Sequence, residues 1–413
     1  MKQTLFISII TGIALLLLLT SCQNDSVQTT GPQSLGDLAV SKKDKTKELT
    51  LSTVKVFATG FNNPRGLKFG PDGFLYVAEG GMGGTDSTIG ICPQVIPPVG
   101  PYKGGMTARI SKVSSTGVRT TVVDHLPSSQ TSPLLGSLIS GVADVAFIDN
   151  TLYALLAGAG CSHGISGVPN GVIKVNPDGT WNMFADLSAY QQAHPVAQPE
   201  ADDFEPDGTW YSMVSVDDDL YAVEPNHGEL VRISKDGGVS RVIDISASQG
   251  HIVPTAVAYQ GNFFVGNLHP FPIIEGSSKI LKITPSGKFK VWATGFTTIL
   301  GITFDHEKRM YVLENTTGNP EPTPNTGMII RVDHGGKRDT IAMGLFLPTA
   351  LTFGPDGKLY VSNIGFGPPP IGLGQILQID VPDSHGNDHD MADDDNGSHD
   401  DSNDSQGHGH GRH

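Results

Sequence analysis

Acidic and amide side chains stand at one recurring place in this 413-residue chain. Glu79, Glu224, Asn267, Glu314 with Asn315, and Asn363 each close a short apolar segment that carries an aromatic residue. Oxygens of this kind gathered at one point suit a hard cation such as Ca2+, which takes about six to eight oxygen ligands. Glu79, Glu224, Asn267 and Glu314 are the candidate metal set, and the ion would serve as a Lewis acid or would activate water. The same side chains can instead satisfy open backbone groups at strand ends, and then they do no chemistry. A second series stands just before the neighbouring apolar segments: Asn63 and Arg65, the acidic stretch from Asp202 to Asp207, His251, Thr255 and Thr349. Arg65, Glu79, Glu224, His251, Asn267, Glu314 and Asn363 therefore form the candidate ligand face. No Ser-His-Asp or Cys-His set stands out, so no catalytic residue is assigned. His163, His227, His269 and His306 read as loop residues.

The elements that must position these groups are repeats. Gly66-Leu-Lys-Phe-Gly-Pro-Asp-Gly-Phe-Leu-Tyr-Val77 returns as Ala350-Leu-Thr-Phe-Gly-Pro-Asp-Gly-Lys-Leu-Tyr-Val361, a strand, a turn and a second strand. Weaker copies end in Tyr153, Tyr221, Phe264 and Tyr311. A second pair of strands follows each first pair, as in Glu229-Leu-Val-Arg-Ile-Ser234 and Lys279-Ile-Leu-Lys-Ile-Thr284, with apolar and polar residues alternating at period two. A unit this small cannot bury its apolar face alone, so the copies must pack on one another. The count predicts an all-β, six-bladed β-propeller over residues 52–381. Its last blade has only Gln375-Ile-Leu-Gln-Ile-Asp380 for a second pair. The missing strand is Val54-Lys-Val-Phe-Ala-Thr-Gly60, which matches Phe289-Lys-Val-Trp-Ala-Thr-Gly295 almost residue for residue. An N-terminal strand closing the last blade leaves no open sheet edge.

This geometry sorts the loops. Turns inside each strand pair, including the Pro-Asp-Gly turns at Asp72, Asp178 and Asp356, fall on one face and are ordinary turn chemistry. Loops between pairs and between blades fall on the other, with every candidate residue above. Cys92 and Cys161 belong to loops of adjacent blades on that side. They are expected either as one disulfide or as two separate buried thiols.

Composition fits this class and excludes others. A hydrophobic share of 38% with 51 Gly and 28 Pro suits many short strands joined by turns. A net charge of −15 excludes nucleic acid as a partner. Met1-Lys2 followed by the apolar run from Leu5 to Leu19 is too short to span a membrane and reads as a signal peptide, residues 1–21. It ends in Leu19-Thr20-Ser21-Cys22, which resembles the lipobox of bacterial lipoproteins and implies lipidation at Cys22. Residues 22–51 read as a flexible tether. Residues 382–413 carry nine Asp with His385, His389, His399, His408, His410 and His413, too polar for a core. That tail is expected to be disordered, either a solubilising segment or a weak binder of Zn2+, Ni2+ or Cu2+.

The phrase Asn63-Pro-Arg-Gly-Leu-Lys-Phe-Gly-Pro-Asp-Gly-Phe-Leu-Tyr-Val-Ala-Glu79, the Gly-rich insert holding Cys92, Val253-Pro-Thr-Ala-Val-Ala258 and Leu347-Pro-Thr-Ala-Leu351 resemble the ScyD/ScyE family of secreted propeller proteins. More loosely, the blades look like those of streptogramin lyase, gluconolactonase and NHL-type propellers. The resemblance implies the fold and an exported location and supplies no reaction. Lactonase-like relatives hold a metal near the propeller axis. The third blade departs from the pattern at Glu205-Pro-Asp-Gly-Thr-Trp-Tyr211.

The chain thus reads as an exported, lipid-anchored monomer in the bacterial cell envelope, periplasmic or on the cell surface. It is expected to be a binding or scaffold module for a small molecule, glycan or protein. The alternative is a metal-dependent lactonase, hydrolase or lyase with a cation, Ca2+, on the axis. Its only membrane contact is the lipid.

Overall fold

The computed structural model describes residues 53–199, 201, 204–365 and 372–381. Cys22 with the signal peptide and most of the tether, Asp202, Asp203 and the acidic tail lie outside the described residues. Strand β1 (Val54–Phe61) comes first. Blade 1 follows as β2 (Pro64–Phe69), β3 (Leu75–Glu79), β4 (Lys103–Val113), β5 (Arg119–Gln130) and the short β6 (Ile139–Ser140). Blade 2 is β7 (Val142–Ile148), β8 (Thr151–Leu156), β9 (Gly171–Val175) and β10 (Trp181–Asp186), after which helix α1 (Leu187–Ala193) leads on. Blade 3 is β11 (Ser212–Val216), β12 (Asp219–Glu224), β13 (Glu229–Ile233) and β14 (Val239–Asp244), followed by α2 (Ser246–Gln249). Blade 4 is β15 (Pro254–Tyr259), β16 (Phe263–Asn267), β17 (Ser278–Ile283) and β18 (Phe289–Phe296). Blade 5 is β19 (Ile299–Phe304), β20 (Met310–Glu314), β21 (Gly327–Val332) and β22 (Arg338–Leu345). Blade 6 takes β23 (Ala350–Phe353), β24 (Leu359–Asn363) and β25 (Gly374–Ile379) from the end of the chain and β1 from its start.

The closure is the one the sequence predicts. Val54 pairs with Ile379 and Phe61 with Gly374 in an antiparallel ladder. The Asp380 amide also donates to the Thr53 carbonyl at 3.2 Å. Leu359 pairs with Ile379 at the same level, so both ends of the described ring leave on the face of the Pro-Asp-Gly turns.

The core is divided among the blade junctions. Among the described residues, six apolar clusters each draw on two neighbouring blades. Ala143, Leu155 and Leu187 of one blade, for instance, pack with Trp210, Met213 and Leu220 of the next. The repeated phrase supplies the wedge. Tyr76 meets Phe147 of the following blade edge-on at 5.0 Å, and Phe264–Phe304, Tyr311–Phe353 and Tyr360–Phe69 repeat the contact at 5.3, 4.9 and 5.0 Å. Such pairs add about 0.5–1.5 kcal/mol each beyond buried area. The phrase's first glycine makes room for the ring: a Cβ on Gly354 would lie 2.6 Å from Tyr360 and 3.2 Å from Phe69. The turn aspartate then accepts a hydrogen bond from the phenol, Tyr360 to Asp356 at 3.0 Å and Tyr76 to Asp72 at 2.9 Å.

Candidate functional site

The recurring acids and amides do one repeated job. Glu79 accepts the Asn62 amide (2.7 Å), Glu314 the Thr297 amide (2.7 Å) and Asn363 the Phe346 amide (2.9 Å). Asn267 donates to the Ile252 carbonyl at 2.8 Å and accepts from the Lys279 amide at 2.7 Å. In all four cases the gripped residue precedes one with a left-handed backbone: Asn63 (φ 52°), Val253 (57°), Thr298 (48°) and Leu347 (44°). Side chains with a Cβ rarely adopt that conformation, and it is least tolerated at β-branched Val253 and Thr298. The residue after the clasp closes the loop from the other side. Gly80, Leu268 and Asn315 donate to the carbonyls of Asn63, Val253 and Thr298 at 2.8, 2.8 and 2.9 Å. Each clasp thereby holds the bend that turns the chain into an innermost strand.

Glu224 works differently, accepting from the Thr209 amide at 2.7 Å and from the His227 amide. Glu79 adds a charge pair with Arg109 at 2.8 Å and a bond from Ser111 at 2.5 Å, with no exposure of its own. Glu314 has a carboxyl pushed up to about 7 by burial, opposed by the Thr297 amide. The four residues chosen for a cation therefore aim into their own loops. Among the described residues, no group of three or more His, Cys, Asp or Glu is placed to hold a metal ion. With their oxygens spent on backbone amides, these four side chains do not fit a Ca2+ site.

Other predicted residues stitch blades together. Thr255 donates to the Ile299 carbonyl at 2.5 Å, Asn315 to Pro348 at 2.8 Å and Thr349 to Pro64 at 2.7 Å. His251 is half-buried just ahead of Val253. Arg65 differs from all of these. Its guanidinium reaches the Ile139 carbonyl at 2.5 Å and lies against the Tyr211 hydroxyl, and no carboxylate pairs with it among the described residues.

Cys92 and Cys161 form a disulfide, with S–S 2.06 Å. It pins the blade 1 insert, which has its own small core of Val95, Val99 and Tyr102, to the neighbouring blade. Beside it lies a buried network that sequence reasoning missed. Tyr102 donates to Glu205 at 2.7 Å, and His163 bonds the other Glu205 oxygen at 2.9 Å and the Ala159 carbonyl at 2.6 Å. Burial alone would lower the His163 pKa, but the Glu205 bond and charge outweigh it and hold it above the ordinary value. Both ring nitrogens lie within hydrogen-bond reach of acceptors, which favours the protonated ring. Asp207 accepts from the Ser162 amide at 2.7 Å and its hydroxyl at 2.6 Å. The acidic stretch is thus partly structural, and only the proximity of His163 to Cys161 hinted at it. A cavity of about 230 Å3 opens nearby, lined by Gln191, Pro195, Val196, Phe204, Pro206 and His227 among others.

Strand order and closure define a six-bladed β-propeller, and solved structures of that class are what the chain resembles. A gluconolactonase from Xanthomonas campestris shares 9% identity over 81% of this chain and 91% of its own, with a TM-score of 0.50. A structural-genomics protein of unknown function from Bacteroides thetaiotaomicron shares 12% over 80% of this chain and 76% of its own, at 0.52. Streptogramin B lyase shares 12% over 82% of this chain and 100% of its own, at 0.45. At these identities the likeness is one of fold. No protein-family model matches the sequence, and no curated protein does.

Proposed function

We propose that this chain is an exported, lipid-anchored propeller that serves as a binding or scaffold module for an extracytoplasmic small molecule, glycan or protein. The observation that carries this reading is the clasp. Glu79, Asn267, Glu314 and Asn363 spend their side chains on the loops that enter the innermost strands. Acids used this way make a rigid rim, and a rigid scaffold with long loops is how binding surfaces are commonly built. The disulfide and the Tyr102–Glu205–His163 network fix the longest of those loops, which reduces the entropy lost when a partner binds. On the residues from Asn63 to Glu79 we assign the chain to the ScyD/ScyE family. The alternative, a metal-dependent lactonase, hydrolase or lyase, needs Glu79, Glu224, Asn267 and Glu314 to abandon these bonds.

Metal analysis of the purified protein, with assays over lactones and esters, separates the two. The binding module is expected to hold no stoichiometric Ca2+ and to turn over none of these substrates. About one tightly held Ca2+ together with lactone turnover would establish the enzyme. For the anchor, Cys22→Ala is expected to release the protein from the membrane fraction, and continued membrane association would refute lipidation.

A further inference from the structure

One cation on the loop face has no carboxylate partner among the described residues. Arg65, on the innermost strand of blade 1, is partly exposed and reaches past blade 2 to the first residues of blade 3. Of its five N–H donors, one bonds the Ile139 carbonyl. The Tyr211 hydroxyl beside it is buried without a well-formed hydrogen bond. Thr209 and Trp210, the two residues before Tyr211, also carry buried side-chain polar atoms with no partner. Three such atoms in a row are unusual, because buried polar groups are nearly always bonded. Asp144 stands close enough to influence Tyr211, yet its oxygens are committed to the Met213 and Val145 amides (both 2.8 Å) and to the Ser212 hydroxyl (3.3 Å). Nothing described neutralises the guanidinium. Elsewhere the ring pairs its arginines closely, as in Arg109–Glu79, Arg241–Glu229 and Arg309–Asp305 at 2.8, 2.6 and 2.6 Å.

We propose that Arg65 and Tyr211 form a subsite for the carboxylate of a small organic acid at the rim of blades 1 to 3. This rests on the binding-module reading and names the ligand class. A planar fork matches a carboxylate through two parallel bonds, and the buried phenol packed against it fixes the fork's orientation. One guanidinium with a neutral phenol suits a monoanion. Phosphate sites typically gather more charge or a helix N-terminus. The uncompensated cation also gives a ligand of opposite sign an electrostatic advantage over its uncharged isostere.

The test is titration calorimetry of the full chain with acetate and benzoate, against acetamide and benzamide as uncharged isosteres. The acids are expected to bind about tenfold or more tighter than the amides. Arg65→Gln should abolish that preference, Arg65→Lys should retain part of it, and Tyr211→Phe should weaken acid binding several-fold. Thermal melts of each variant establish that the ring is intact. Equal binding of acid and amide, retained preference in folded Arg65→Gln, or inorganic phosphate competing as well as benzoate would each overturn the subsite. Failure of the subsite with neutral glycans still bound leaves the binding-module reading standing. Turnover of a lactone with stoichiometric Ca2+ would remove that reading whatever Arg65 does.

Discussion

Glu314 shows what it means for an acid to be a clasp. Its carboxyl is held near 7 by burial, above the ordinary 4.5, so the folded state keeps a proton that the unfolded chain has already lost. Stability attributable to this group is therefore full below about pH 4.5 and declines as pH rises to about 7, by up to about 3 kcal/mol. Glu314→Gln keeps an oxygen for the Thr297 amide and removes the titration. Denaturant melts at pH 4.5 and 8 are expected to show little change at the lower pH and a gain at the higher. A loss at both would mean that the ionised form is the one that holds the bend. The candidate residues were legible in sequence as a series, but their direction was not. Whether a glutamate at a strand end points to the axis or back into its loop depends on the backbone of the residue it faces. A left-handed Val253 runs against its own propensity and leaves no trace in composition.

At the scale of the element, the repeated phrase accounts for its own residues. Phenylalanine and tyrosine wedge neighbouring blades, the glycine between them clears the ring, and the aspartate receives the phenol. Gly354→Ala is expected to cost about 1–3 kcal/mol by overpacking, with the loss read in denaturant midpoint at unchanged slope. These blades could be found from sequence because period-two alternation and Pro-Asp-Gly turns are local signals. The insert before β4 and the loop holding His163 were legible only through Cys92 and Cys161; their packing around Tyr102, His163 and Glu205 was not, since the partners lie in different blades. Their contribution is testable separately. Replacing Cys92 and Cys161 by Ser removes a cross-link spanning 69 residues and should lower stability by about 2–5 kcal/mol. Hydrogen exchange is expected to quicken first around Val95 to Tyr102, with the blade 4 and blade 5 strands protected. Uniform loss of protection would show that the insert is integral to the ring.

The ring as a whole places its apolar clusters between blades, so no blade owns a complete core. Closure by β1 was visible because Val54–Gly60 and Phe289–Gly295 share a pattern, and both occupy the outermost position of a blade. With Val54 opposite Ile379, the two ends can be joined by a short linker and the chain reopened elsewhere. A circular permutant cut at the exposed turn between Gly335 and Gly336 is expected to fold with a melting temperature within several degrees of the parent. If it failed to fold while other permutants succeeded, the turn would be at fault. If all failed, the pairing of β1 with β25 would be wrong.

That pairing also sets an order in time. The ribosome makes β1 first and its partner β25 last, and the sheet edge between them waits unsatisfied throughout synthesis. Long-range pairing of this kind is slow, and an open edge invites association with other chains. No fragment that stops short of Ile379 can finish blade 6, so completion of the ring waits for the last strand to emerge.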